Sequence, residues 1–208
     1  MIHAALAPAW AKTISWRGLL LFELRTVDRG GGGPREAGRL VGDRVAGIFQ
    51  TEVGEMGRTV MISTFESAPS VAQAEQREGR FGAPDLPGRL EVLASAPFMR
   101  PWEAQELGRV WELAWYDYTA GSVAEAVAGF GEALAYREEL YPVVGCWTVD
   151  AGPWVERIYV LVPYRDWDHR DELTAKLKGD ATWPPRARVS ATAAGNKLLI
   201  PAQTSALR

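Results

Sequence analysis

The feature that most constrains this chain is that one order of strands, helices and glycines runs through it twice. The first pass opens with a strand-like run at residues 19–27, broken by a glycine tract at 30–33. Pro34 then stands where a helix can start without a backbone N–H, and Ala37, Leu40, Val41 and Val45 recur at helical spacing. Strands follow at 48–53 and 59–65, a helix start at Ser67, and a last strand at 89–93. The second pass has a strand at 110–118 and a helix after Ser122, which reads as a capping box with Glu125. Val123, Val127, Phe130 and Leu134 form the apolar stripe of that helix. Strands at 145–149 and 158–162 follow, then a helix capped by Asp166 and bearing Leu173 and Leu177, stopped by Trp183-Pro184-Pro185. Residues 188–192 and 198–200 supply the last strand or strands. Gly47 and Gly145, like Gly54 and Gly152, stand 98 positions apart.

Each pass reads as β-α-β-β-α-β, the ferredoxin-like unit. The expected organisation is an N-terminal tail at 1–16, a first repeat at 17–104 and a second at 105–208. Two helices cover only one face of each four-stranded sheet, and the other face has to be buried. The expected fold is α+β, with two ferredoxin-like repeats forming an α+β barrel around a shared pocket. Strand alternation then assigns faces. Phe22, Leu24 and Thr26 oppose Glu23, Arg25 and Val27, while Trp111, Leu113, Trp115 and Asp117 oppose Glu112, Ala114, Tyr116 and Tyr118. With the more apolar set under the helices, Glu23, Arg25, Glu112, Tyr116 and Tyr118 point into the barrel, joined by Met61, Ser63, Tyr159 and Leu161 from the hairpin strands.

Composition removes several classes of function. With 23 Lys and Arg against 26 Asp and Glu, the chain has no basic footprint for nucleic acid or an anionic membrane. No run approaches the ~20 apolar residues needed to span a bilayer, and the apolar start has no cationic head. Cytoplasmic location is therefore expected, and the single thiol, Cys146, fits a reducing compartment. One cysteine and two histidines leave little for a metal site, so none is assigned. His169 reads as a solvated helix side chain and Cys146 as an inert thiol; His3 lies in the tail.

The residues assembled above resemble the NIPSNAP family. Phe22-Glu23-Leu24-Arg25-Thr26 is similar to the family's Y-E-L-R-x-Y opening, and residues 47–54 (GIFQTEVG) to its G-x-W/F-x-T-E-x-G segment. The second repeat adds residues 145–152 (GCWTVDAG), Pro163-Tyr164 with Arg170, and Trp183-Pro184. Two departures stand out: residues 61–65 (MISTF) replace a His- and Trp-bearing strand, and Ala114 stands where the first repeat has Arg25. The resemblance implies ferredoxin-like repeats of the dimeric α+β barrel superfamily. That superfamily includes cofactor-free monooxygenases, lactone isomerases, cyclases and haem enzymes, so a reaction follows from it only by analogy.

The expected activity is a cofactor-independent enzyme of specialised or catabolic metabolism acting on a hydrophobic or aromatic carbonyl compound. Glu112 would move a proton, Arg25 would hold an anionic oxygen and Tyr116 would orient the substrate. Glu23, Tyr118, Tyr159, Met61 and Ser63 would line the site. No cofactor is assigned, and scarce histidine disfavours haem; a homodimer is the candidate assembly. The rival reading is a non-catalytic binding or protein-interaction module, its barrel plugged by side chains and Trp154 and Trp167 exposed outside.

Overall fold

A computed structural model describes residues 21–28, 45–65, 88–100, 103–180, 182–185 and 189–208. The tail at 1–16, the glycine tract at 30–33 and the first-repeat helices expected after Pro34 and Ser67 lie outside the described residues. The first repeat contributes β1 (Leu21–Asp28), β2 (Val45–Val53), β3 (Arg58–Phe65) and β4 (Gly88–Ser95). Val45, read above as part of a helical stripe, instead begins β2. The second repeat contributes β5 (Val110–Asp117), α1 (Val123–Leu140), β6 (Gly145–Ala151), β7 (Arg157–Tyr164), α2 (Trp167–Leu177) and β8 (Ala193–Pro201).

All eight strands close one antiparallel barrel in the order β1-β3-β2-β8-β5-β7-β6-β4. Each repeat keeps its own local order, β2-β3-β1-β4 and β6-β7-β5-β8. The halves join at two seams, β2 with β8 and β4 with β6. The chain therefore closes its barrel without a second copy.

The interior is a packed apolar core. Phe22, Leu24, Phe49, Val60, Ile62, Leu93, Trp111, Leu113, Trp147, Tyr159, Leu161 and Leu199 form one buried cluster drawn from all eight strands. Each fully buried large side chain contributes about 1.5–3 kcal/mol. Phe22 meets Trp147 edge-on at 5.3 Å between ring centroids, and Phe49 meets Trp111 at 5.4 Å. These pairs occupy equivalent places in the two halves of the strand order, and each crosses from one half to the other.

The face assignment made from alternation is therefore reversed. The pairing of residues along each strand is right, but the more apolar set faces inward and Glu23, Arg25, Glu112, Tyr116 and Tyr118 face outward. Met61 and Ser63, the register partners of Arg25 and Glu23, lie outward as well. Tyr159 and Leu161 do face the interior, opposite Trp115 and Leu113. The cause is that both faces of the second-repeat sheet become covered. Barrel closure leaves the inner face no access to water, so it takes the larger rings, whereas the helix-covered face retains polar groups beside a cleft.

The duplicated glycines have a direct reason. Gly47 and Gly145 sit beneath the rings of Phe49 and Trp147, two residues onward on the same inner face. A Cβ at these positions would lie 2.6 Å and 1.8 Å from those rings. Gly54 and Gly152 turn the hairpins at φ of 100° and 145°, a region that favours glycine.

On the outer face, α1 begins at Ser122, but that side chain makes no capping hydrogen bond, so the capping box does not form. Its buried stripe is Ala126, Phe130, Ala133 and Arg137, with Val123, Val127 and Leu134 only partly buried beside it. Asp166 does cap α2, its Oδ1 accepting the His169 N–H at 2.8 Å.

A glycine pair tests this packing. Gly145→Ala should lower stability by about 1–3 kcal/mol through overpacking against the Trp147 ring. Gly129→Ala, where a Cβ meets Pro185 at an ordinary 3.6 Å, should raise it by about 0.5–1 kcal/mol through helix propensity. Urea unfolding of both variants measures the contrast.

Candidate functional site

A cavity of about 350 Å³ lies between the outer face of β5, β7 and β8 and the helical layer of the second repeat. The strand alternation that fills the barrel with rings puts Glu112, Ala114 and Tyr116 in a row along its floor. Val160, Val162 and Tyr164 of β7 and Asn196 of β8 flank them. Arg137 comes from α1, Arg170, Thr174 and Leu177 from α2, and Trp183 from the segment after α2.

Glu112 is fixed from three directions. Its Oε2 accepts from Arg170 Nε at 3.1 Å and from the Tyr164 hydroxyl at 3.2 Å, and its Oε1 accepts from Asn196 Nδ2 at 2.7 Å. Arg170 reaches this point because the Asp166 cap starts α2 directly after β7, setting Arg170 in the first turn, over the sheet. The buried Arg137 cation lies close enough to Tyr164 to act on it electrostatically. Arg137 is 1% exposed; it donates to the Tyr141 carbonyl, and its Nε makes no hydrogen bond. The result is a set of charge-assisted bonds from Tyr164, Arg170 and Asn196 onto Glu112, with the Arg137 cation behind Tyr164.

Tyr116 packs its ring against Phe130 at 5.4 Å, and Phe130 meets Trp183 edge-on at 5.2 Å. Burial, reinforced by the Glu112 charge, pushes the Tyr116 phenol well above its ordinary range, so at neutral pH it is a hydrogen-bond donor. The same causes raise Tyr164. The cleft thus joins a fixed carboxylate and a neutral phenol to an apolar wall of Ala114, Val160, Val162, Leu177 and Trp183.

Of the residues expected to form a site, Glu112 and Tyr116 come together here. Glu23 and Arg25 do not. They pair with each other at 2.9 Å on β1, which stands four strands from β5 on the opposite side of the ring. The two glutamates therefore cannot act as an acid and base in one hollow, and the cation beside Glu112 is Arg170 rather than Arg25. Met61 and Ser63 stay with the first repeat. Tyr118 is buried just beyond β5 in the outer core, outside the cleft lining, and burial pushes its phenol to about 12. Tyr159 is inside the barrel, where its hydroxyl donates to Glu91 at 2.9 Å and accepts from Arg157 at 3.3 Å. Trp154 and Trp167 are exposed, Trp154 lying over Arg157 at 4.4 Å.

Arg137, Tyr164 and Asn196 are site residues that sequence reasoning did not assign. Arg137 was detectable, because it occupies the next position of the 126-130-133 buried stripe and an arginine there must find a partner. His169 is 7% exposed rather than solvated; its Nδ1 accepts the Arg165 N–H at 3.2 Å, and burial lowers its pKa. It does not line the cleft. Cys146 is buried under the helices, which pushes its thiol up. Among the described residues, no three His, Cys, Asp or Glu side chains are grouped to hold a metal, and no helix is long and apolar enough to cross a membrane.

The raised phenols give a pH signature. A group that stays protonated in the folded state while its unfolded form ionises loses its stabilising effect as pH rises. Stability should therefore fall above about pH 10, the ordinary tyrosine value. An ultraviolet titration should show Tyr116, Tyr118, Tyr159 and Tyr164 ionising only with unfolding. Smooth ionisation of all tyrosines near pH 10 in the folded protein contradicts it.

The NIPSNAP family model matches residues 111–206, the whole strand-and-helix set that builds this cleft. Among curated proteins none matches the sequence significantly. Among solved structures, a NIPSNAP family protein of Agrobacterium tumefaciens is 27% identical, covering 48% of this chain and 98% of its own, at a TM-score of 0.42. An anthrone oxidase-like protein covers 88% of this chain and 91% of its own at 12% identity, with a TM-score of 0.57. A candidate monooxygenase of Lactobacillus acidophilus covers 88% and 94% at 9% identity, with a TM-score of 0.55. The last two likenesses concern the fold, an α+β barrel spanning both repeats. The second half of this chain is thus similar to a NIPSNAP domain, and it closes into one barrel with a first half of the same strand order.

Proposed function

We propose that the outer cleft of the second repeat is the site of a cofactor-independent enzyme acting on a small hydrophobic or aromatic carbonyl compound. The observation that carries this reading is the convergence of Glu112 and Tyr116 in one 350 Å³ cleft with an apolar and aromatic wall. Glu112 takes a proton from carbon or oxygen of the substrate, while Tyr116 donates a hydrogen bond to the carbonyl oxygen as charge builds there. Arg170 assumes the role expected of Arg25, stabilising Glu112 and the developing anion. The structural neighbours that cover both repeats include proteins named for oxidative chemistry, and that likeness of fold is consistent with this class.

A packed barrel interior is also what the binding-module reading requires, and there the same cleft would hold a ligand without turning it over. Turnover separates the two. Mass spectrometry of compounds that co-purify with the chain, followed by assay of those compounds, should identify one that is converted. Glu112→Gln should lower its kcat at least a hundredfold, the usual contribution of a positioned general base, and Tyr116→Phe should lower it less. Full turnover by Glu112→Gln rules out the assigned role, and binding without conversion favours the module.

A further inference from the structure

We infer that Ala114 is the residue that opens the cleft and sets what it accepts, and that the duplicated position in the first repeat is closed by Arg25. This rests on the reading of the cleft as a small-molecule site. Glu23 and Glu112 are equivalent, each facing outward from the first strand of its repeat. Two residues onward, on the same face, the first repeat has Arg25 and the second Ala114. Arg25 folds back onto Glu23 at 2.9 Å and so lies along the strand surface. In the second repeat that strip is bare, and Ala114 lines the cavity instead.

The neighbouring position changes in the same sense. Arg25 pairs in register with Met61, whereas Ala114 pairs with Val160, again the smaller side chain. Two adjacent truncations on one sheet face create the space, and the partner that Glu112 would otherwise take from its own strand comes from α2 as Arg170. The floor left by Ala114, Val160 and Val162 is apolar, with the Tyr116 and Trp183 rings beside it and Glu112 as acceptor at one end. The ligand class that fits is a planar aromatic or polyene body bearing a hydroxyl or enolisable donor at one edge. The donor meets Glu112 while the ring system lies over Ala114.

The test uses 2-naphthol as probe, with binding measured by saturation-transfer NMR and calorimetry on the full chain. The unsubstituted protein should bind it at one site. Ala114→Arg should weaken binding by about a hundredfold, the upper part of the range for steric exclusion from an apolar pocket, with its unfolding midpoint little changed because the first repeat already tolerates the Glu-x-Arg arrangement. A crystal structure of Ala114→Arg should show the introduced guanidinium on Glu112 and the cavity filled. If Ala114→Arg fails to fold, Ala114→Val should weaken binding by about tenfold. Undiminished binding by these variants, or an introduced guanidinium in solvent above an open cavity, overturns the inference and leaves the cleft as a ligand site. Failure of the unsubstituted protein to bind the probe overturns both.

Discussion

An eight-stranded barrel has an interior that side chains can fill or that can hold one small ligand, and the molecule depends on how this chain fills it. Phe22 against Trp147 and Phe49 against Trp111 cross between the repeats as two equivalent contacts at nearly equal distances. Aromatic pairs of this kind add about 0.5–1.5 kcal/mol each beyond their buried area. Their rings need room, which Gly47 and Gly145 supply by carrying no Cβ beneath them. Once these rings occupy the axis, no ionisable group can share it except at the hairpin end. There Glu91 is held by Tyr159, and Lys197 by Glu55.

That filling decides where polar side chains can gather. Polar residues that alternate with the rings are sent to the outer face, where helices rather than a second sheet cover them. A helix layer over a sheet leaves gaps at its edges, and in the second repeat the gap is framed by α2 and the segment around Trp183. Glu112 lies deep enough to be gripped by Arg170, Tyr164 and Asn196, yet it still faces a cavity. Arg137 supports this arrangement from behind through Tyr164. Its unpaired Nε shows that the network is held in place at some cost in hydrogen bonding.

Much of the fold was legible in the residues. The duplicated strand order, the paired glycines and the grouping of residues by strand face are written in spacing and residue type, and the barrel follows from two bare sheets in one chain. The direction of the faces was not legible. Alternation tells one face from the other only when one of them meets water, and in the second repeat closure buries one side while helices bury the other. Glu112 and Tyr116 could be read as a pair because they share one strand face. Arg25 could not be excluded without the ring order that separates β1 from β5. Arg137 and Asn196 enter from distant elements, and only Arg137 left a trace, as a charged residue in an apolar helical stripe.

On the proposed function, bound molecules sit outside the barrel wall, under α2, rather than on the axis. A crystal structure of the chain with a co-purified or soaked ligand measures this directly. Density between Glu112 and Trp183, with Phe22, Phe49, Trp111 and Trp147 undisturbed, is the result the account predicts. Density on the barrel axis, with those four rings swung aside, would contradict it.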